Sequence, residues 1–210
     1  EYKNLELGGC YHQAPMSYPA LLSWCEKKAE QFAPYITDTG NYIAAALSNH
    51  QKVVLEAQLG AMRDIDYGIF PYTSSSSTIS AYGPIGAGIP GTLPDHIVGV
   101  LKAYSTCVGA GPFTAEKAMP EKWMESLRKS GGEYGAATGR PRRVGPFDAV
   151  ASAYGLKCQN ADKIALTKLD VLSHMDEIPV ITSYKLNDEI ITEFDPLDDL
   201  DSMTPVIQML

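Results

Sequence analysis

Lys163-Ile164-Ala165-Leu166, followed at once by Thr167-Lys168-Leu169-Asp170, sets the reading of this chain. The first four residues are a short, largely apolar run of strand length, and the next four are polar and ionic. Upstream, residues 147–156 have the spacing of a helix with Val150, Ala151 and Tyr154 on its inner face. Further upstream the apolar run from His96 to Ala103 enters a second polar loop, Val108-Gly109-Ala110-Gly111-Pro112, and residues 121–129 form another helix. Strands that end in polar loops, with helices between them, predict an open α/β sheet with ligands gathered at the strands' carboxyl ends.

Working outward, residues 178–186 and 189–192 predict a late β-hairpin turning at Asn187-Asp188. Residues 18–32 have helical spacing, with Leu21, Leu22, Cys25, Ala29 and Phe32 on one side. Residues 41–47 predict a shorter helix. Lys52-Val53-Val54-Leu55-Glu56 is rich in β-branched residues and reads as a buried strand leading into a turn at 58–60. Residues 73–94 are dense in Ser, Gly and Pro, with Ser74 to Ser77 unbroken, and fit either a linker or an ordered binding loop. The expected organisation is a helical connecting segment over 1–50 and an α/β portion over 51–210.

At 210 residues and 45% hydrophobic, the chain can bury one sizeable core. A formal net charge of -8 argues against a nucleic-acid partner. No apolar run reaches membrane-spanning length, and Glu1-Tyr2-Lys3-Asn4 is not a signal peptide. The chain opens without Met, as expected of a processed product or a piece of a longer protein. Cys10, Cys25, Cys107 and Cys158 are scattered without a CxxC pair and read as reduced thiols of a cytoplasmic protein. His12, His50, His96 and His174 are isolated from one another, and no metal ligand set is expected in this segment.

Against that acidic background, Gly135-Ala136-Ala137-Thr138-Gly139-Arg140-Pro141-Arg142-Arg143 concentrates three guanidinium groups on one Gly-containing loop. Arg offers a planar, permanently charged fork that matches carboxylate or phosphate oxygens in pairs. The plainer reading is a solvated basic turn. Thr167-Lys168-Leu169-Asp170 after its strand stands where GTPases read guanine: the carboxylate accepts from the base N1–H and 2-amino group. A capping aspartate is the alternative. Residues 56–66 read as a nucleotide-binding edge or as a charged surface loop.

Taken in order, LEAQLGAMRDIDYGIFPYTSSSS, LKAYSTCVGAGPF, EYGAATGRPRR and ALTKLDVL resemble consecutive blocks of the adenylosuccinate synthetase family. The resemblance is dense from about residue 52 to 185 and thin over 1–50. It implies part of a P-loop-NTPase-like, mostly parallel open sheet with flanking helices. It also implies a GTP-dependent ligase joining L-aspartate to IMP in AMP biosynthesis, with GTP as co-substrate, Mg2+ and a homodimeric enzyme. Under the resemblance Leu59, Ser74, Val108 and Arg140 stand at IMP-contacting positions. Ala136, Ala137, Thr138, Gly139, Arg140 and Arg142 form the aspartate loop. Arg142, Lys168, Leu169 and Asp170 face GTP. Leu59 replaces a Gln or Asn, Ser74 a Thr, Ala137 a Thr, and Cys107 an Arg. The glycine-rich phosphate loop, the catalytic aspartate and histidine, the Mg2+ ligands and the end of the guanine pocket have no counterpart. The chain is therefore expected to be a middle-to-late segment, inactive alone, whose sheet lacks central strands. Two alternatives stay open: a divergent paralogue loading aspartate onto another purine nucleotide such as GMP or dGMP, and a non-catalytic nucleotide-binding chain.

Overall fold

The computed structural model describes residues 1–210 and divides into two compact units, Glu1–Val53 and Val54–Leu210. The first holds three helices: α1 (Tyr2–Tyr11), α2 (Tyr18–Phe32) and α3 (Thr39–Ser48). Local capping defines two of their starts. The Ser17 hydroxyl accepts from the Ala20 amide at 3.5 Å, and the Asp38 carboxylate accepts from the Asn41 amide at 3.0 Å. α2 coincides with the predicted residues, but its apolar side remains exposed at Leu21, Leu22 and Phe32. No residue of these three helices is buried.

The second unit is the α/β part. Its elements are α4 (Tyr82–Gly86), β1 (Val98–Lys102), β2 (Ser105–Cys107), α5 (Glu121–Gly131), β3 (Arg143–Gly145), β4 (Phe147–Asp148), α6 (Ala149–Gln159), β5 (Lys163–Thr167), β6 (Pro179–Leu186), β7 (Glu189–Ile191) and β8 (Thr204–Met209). β1 and β5 pair in parallel from Val98 opposite Lys163 to Lys102 opposite Thr167, so both strands end at the same edge. β2 pairs antiparallel with β3. β6 pairs in parallel with β4 and antiparallel with β7 and β8. The hairpin turn at Asn187 and Asp188 has positive φ at both residues (49° and 69°), as a two-residue turn matching the strand twist requires.

Two apolar clusters hold this unit. Tyr104, Met124, Leu127, Val144 and Leu172 bring α5 against the loops that follow β1 and β5. Val150, Ile181, Tyr184, Leu200 and Met203 bring α6 against the β6 sheet. Leu127 and Ile181 are fully buried, each contributing about 1.5–3 kcal/mol of transfer free energy. β1 lies so close to α6 that a Cβ at Gly99 would meet the Leu156 side chain at 2.2 Å.

The strand expected over residues 52–56 is not formed. Those residues pair with no strand, and Val54 is 91% exposed. A β-branched run needs a neighbouring ladder to satisfy its backbone, and none lies beside it. The Ser-rich stretch is an ordered loop rather than a linker. The Asp64 carboxylate accepts from the Thr78 amide at 2.6 Å, and Gln159 holds the Ser80 amide at 2.6 Å. Among candidate membrane spans, no helix is long and apolar enough to cross a bilayer.

Candidate functional site

The shared edge where β1 and β5 end carries the ionic residues. From β1, Lys102 directs its ammonium to the Glu133 carboxylate at 2.8 Å. Just beyond β1, the Tyr104 hydroxyl donates to the same carboxylate at 2.7 Å. Arg142 donates to the other Glu133 oxygen at 2.9 Å. Glu133 itself is only 2% exposed. Burial pushes its carboxyl up, but the hydrogen bonds from Lys102, Tyr104 and Arg142 outweigh that and leave it below its ordinary value. Tyr104 is driven the other way, by burial first and then by Glu133, so its hydroxyl stays protonated.

β5 is followed by Lys168, in the left-handed region at φ 62°, and this turns the chain into the short 3-10 turn Leu169–Leu172. The Lys168 ammonium donates to the Gly131 carbonyl at 3.1 Å, fastening the guanine-type motif to the end of α5. Asp170 and Leu169 are exposed. Lys168 binds Gly131 and Arg142 binds Glu133, two residues further on, so the end of β5 and the Arg loop share one neighbourhood.

The Arg loop closes on itself. The Gly135 amide donates to the Arg140 carbonyl and the Gly139 amide to the Gly135 carbonyl, both at 2.8 Å. Gly139 sits at φ 64°, where a side chain would be strained. Thr138 turns its hydroxyl inward, accepting from the Arg140 amide at 3.4 Å. Ala136, Ala137, Thr138, Gly139 and Arg140 are exposed, whereas Arg142 is half-buried against Glu133. Arg142 Nε is a buried donor with no partner.

A second group of loops lies around Arg63 and Asp64. The Asp64 carboxylate accepts from the amides of Asp66, Tyr67 and Thr78 and from the Ser77 hydroxyl. Burial raises its pKa, and these hydrogen bonds more than cancel that, leaving it lowered. Ser74 donates its amide to the Arg63 carbonyl at 2.8 Å and its hydroxyl to the Ser76 carbonyl at 3.0 Å. Gln58 donates to the Ser76 hydroxyl at 3.1 Å. Leu59 projects outward, 67% exposed, in the left-handed region at φ 61°, a conformation costly for a residue with a Cβ. Val108 is 69% exposed, and its carbonyl accepts from Arg63 at 2.9 Å.

Sequence reasoning missed Glu133 and Lys102; it placed Arg143 in the Arg loop, and Arg63 and Asp64 in the 56–66 edge, without a role for any of the three. Glu133 carried one signal: a single acid between the glycines that end α5 and the guanidinium run. Arg63 and Asp64 carried another, as adjacent opposite charges in a turn. No group of three or more His, Cys, Asp or Glu side chains comes together. His96 pairs with Asp162 at 2.7 Å on the surface, and all four cysteines are free.

Parallel strands ending in a shared ionic edge, with glycine-containing loops beside it, define an α/β protein that offers its ligands the carboxyl ends of its strands. The family model for adenylosuccinate synthetase matches residues 1–210, and the chain belongs to that family. It is 42% identical over 195 residues to the adenylosuccinate synthetase of Caldicellulosiruptor bescii, covering 92% of this chain and 45% of that relative. With the enzyme of Carboxydothermus hydrogenoformans it is 39% identical over 209 residues, covering 99% and 48%. The fully ligated adenylosuccinate synthetase of Plasmodium falciparum superposes with a TM-score of 0.84 at 31% identity, covering 100% of this chain and 50% of that one. The chain thus spans about half the length of the curated relatives it matches.

Proposed function

We propose that this chain supplies the aspartate-binding and base-reading half of a GTP-dependent ligase that joins L-aspartate to IMP. In that reaction the γ-phosphoryl group of GTP passes to the 6-oxygen of IMP, and the aspartate amine then displaces phosphate, leaving adenylosuccinate, GDP and phosphate. The observation that carries the reading is the convergence of Arg142, Lys168 and Asp170 at the edge where β1 and β5 end. Arg140, Arg142, Thr138 and the amides of residues 136–139 grip the two carboxylates of aspartate, because paired guanidinium forks match a diacid. Lys168, Leu169 and Asp170 take the guanine, with Arg142 on the same side. Leu59, Ser74, Val108 and Arg140 border the purine acceptor.

Mg2+ would neutralise phosphate charge when bound. A cytoplasmic homodimer belongs to the same reading.

One feature favours a second purine. Leu59 is apolar, exposed and held in the left-handed region, and it cannot donate to an acceptor base. The full-length protein should therefore be assayed for aspartate-dependent GTP hydrolysis with IMP, GMP and dGMP. Turnover with IMP supports the first reading, turnover with GMP or dGMP alone supports the paralogue, and none with any purine contradicts both.

A further inference from the structure

The glycine loop at residues 108–111 has its carbonyls divided between two guanidinium groups. Arg63 donates to the Val108 carbonyl at 2.9 Å and to the Ala110 carbonyl at 3.2 Å. Arg143 donates to the Gly111 carbonyl at 2.7 Å and to the Gly109 carbonyl at 3.3 Å. Alternate carbonyls of four consecutive residues are thus held by different side chains. The same Arg63 head donates to the Tyr72 carbonyl at 2.5 Å and lies 3.0 Å from Cys107 Sγ, while its own backbone carbonyl takes the Ser74 amide. The two arginines differ in their counterions. Arg143 forms an ion pair with Glu116, whereas Arg63 has no carboxylate within ion-pairing distance and is held by three backbone carbonyls and Cys107 Sγ.

We propose that Arg63 is a positioning residue for the purine-acceptor site, with Arg143 as its counterpart on the other side of the glycine loop. The proposal rests on the reading that Ser74 and Val108 border the acceptor nucleotide. Gly109 and Gly111 adopt φ of 87° and 105°, so the loop lacks the backbone restriction that side chains would impose. A loop of that kind binds weakly unless something else fixes it, because ordering it on binding costs free energy. The guanidinium fork supplies several donors in fixed directions and can catch three carbonyls at once. An ammonium has three donors but no plane to align them. Arg63 thereby makes one rigid unit of the start of the Ser-rich loop and the glycine loop. Gly111 fits this arrangement closely: a Cβ there would meet the Tyr72 ring at 2.5 Å.

The test uses the full-length protein and two variants, Arg63→Met and Arg63→Lys, with two readouts. In hydrogen exchange without ligand, Arg63→Met should speed exchange at residues 74–78 and 107–112 together, on the order of tenfold. Arg63→Lys should fall between it and the parent. In kinetics, Arg63→Met should raise KM for the acceptor nucleotide by about tenfold or more, with KM for GTP and aspartate within about twofold. Unchanged exchange, or a response in one loop only, overturns the clamp. Loosened loops with an unmoved acceptor KM overturn its role in nucleotide binding, and so does an equal rise in all three KM values. If no purine turns over, the functional reading has failed, and the exchange result alone decides whether Arg63 ties the loops.

Discussion

Two ionic clusters border the proposed site, and they hold their charges in different ways. At the end of α5, a buried acid is ringed by three donors: Lys102, Tyr104 and Arg142 all converge on Glu133. In the turn after residue 60, a guanidinium is ringed by carbonyls and has no acid of its own. The first arrangement is an ion cluster whose members are costly to leave unpaired in a low-dielectric site. The second is a set of charge–dipole bonds that fixes backbone. The contrast separates a charge held for its electrostatic value from one held for the geometry it imposes.

Breaking the acid-centred cluster should have the largest effect. Glu133→Ala leaves the Tyr104 hydroxyl without its acceptor and removes the carboxylate that ion-pairs with both Lys102 and Arg142. It should lower the stability of the α/β unit by about 3 kcal/mol, near the bottom of the usual range because Lys102 and Arg142 each keep about a third of their side chains in water. Chemical denaturation of the full-length variant measures it. Next, Arg142→Ala and Arg140→Ala should each raise the aspartate requirement by about 10- to 150-fold, the equivalent of a lost charge-assisted pair at roughly 1.5–3 kcal/mol. Initial-rate kinetics at fixed GTP and acceptor would read this.

The acid-centred cluster should also respond to pH. Glu133 has a folded-state pKa below its ordinary value of 4.5. Its contribution is therefore complete above about pH 4.5 and is lost as pH falls through the folded value. The stability difference between the parent and Glu133→Gln should shrink on acidification below pH 4.5. The smallest effect is expected at Leu59. Leu59→Gln restores a donor without touching either cluster and should tighten acceptor binding by about 1 kcal/mol, or roughly fivefold.

Much of the frame was legible because it is local. α2, α5, β5 and the 187–188 hairpin each carry their own signal in period, capping or turn chemistry. What failed was non-local. The run at 52–56 has strand composition, but composition does not supply a partner ladder. β8 was not read from the sequence; it carries Pro205 and pairs only with β6, at that sheet's edge, where a proline is tolerated. The site divided in the same way. The Arg loop and the motif after β5 were visible as compact runs of residues. Glu133 was not, because its meaning depends on Lys102 and Tyr104, 31 and 29 residues away in sequence.

A crystal structure of the full-length protein with aspartate and the acceptor nucleotide bound addresses the central assignment most directly. The predicted result has both aspartate carboxylates within hydrogen-bond distance of Arg140 and Arg142, with Glu133 still holding Lys102 and Tyr104. Aspartate bound elsewhere, with Arg140 in solvent and Arg142 still engaged only by Glu133, would contradict it.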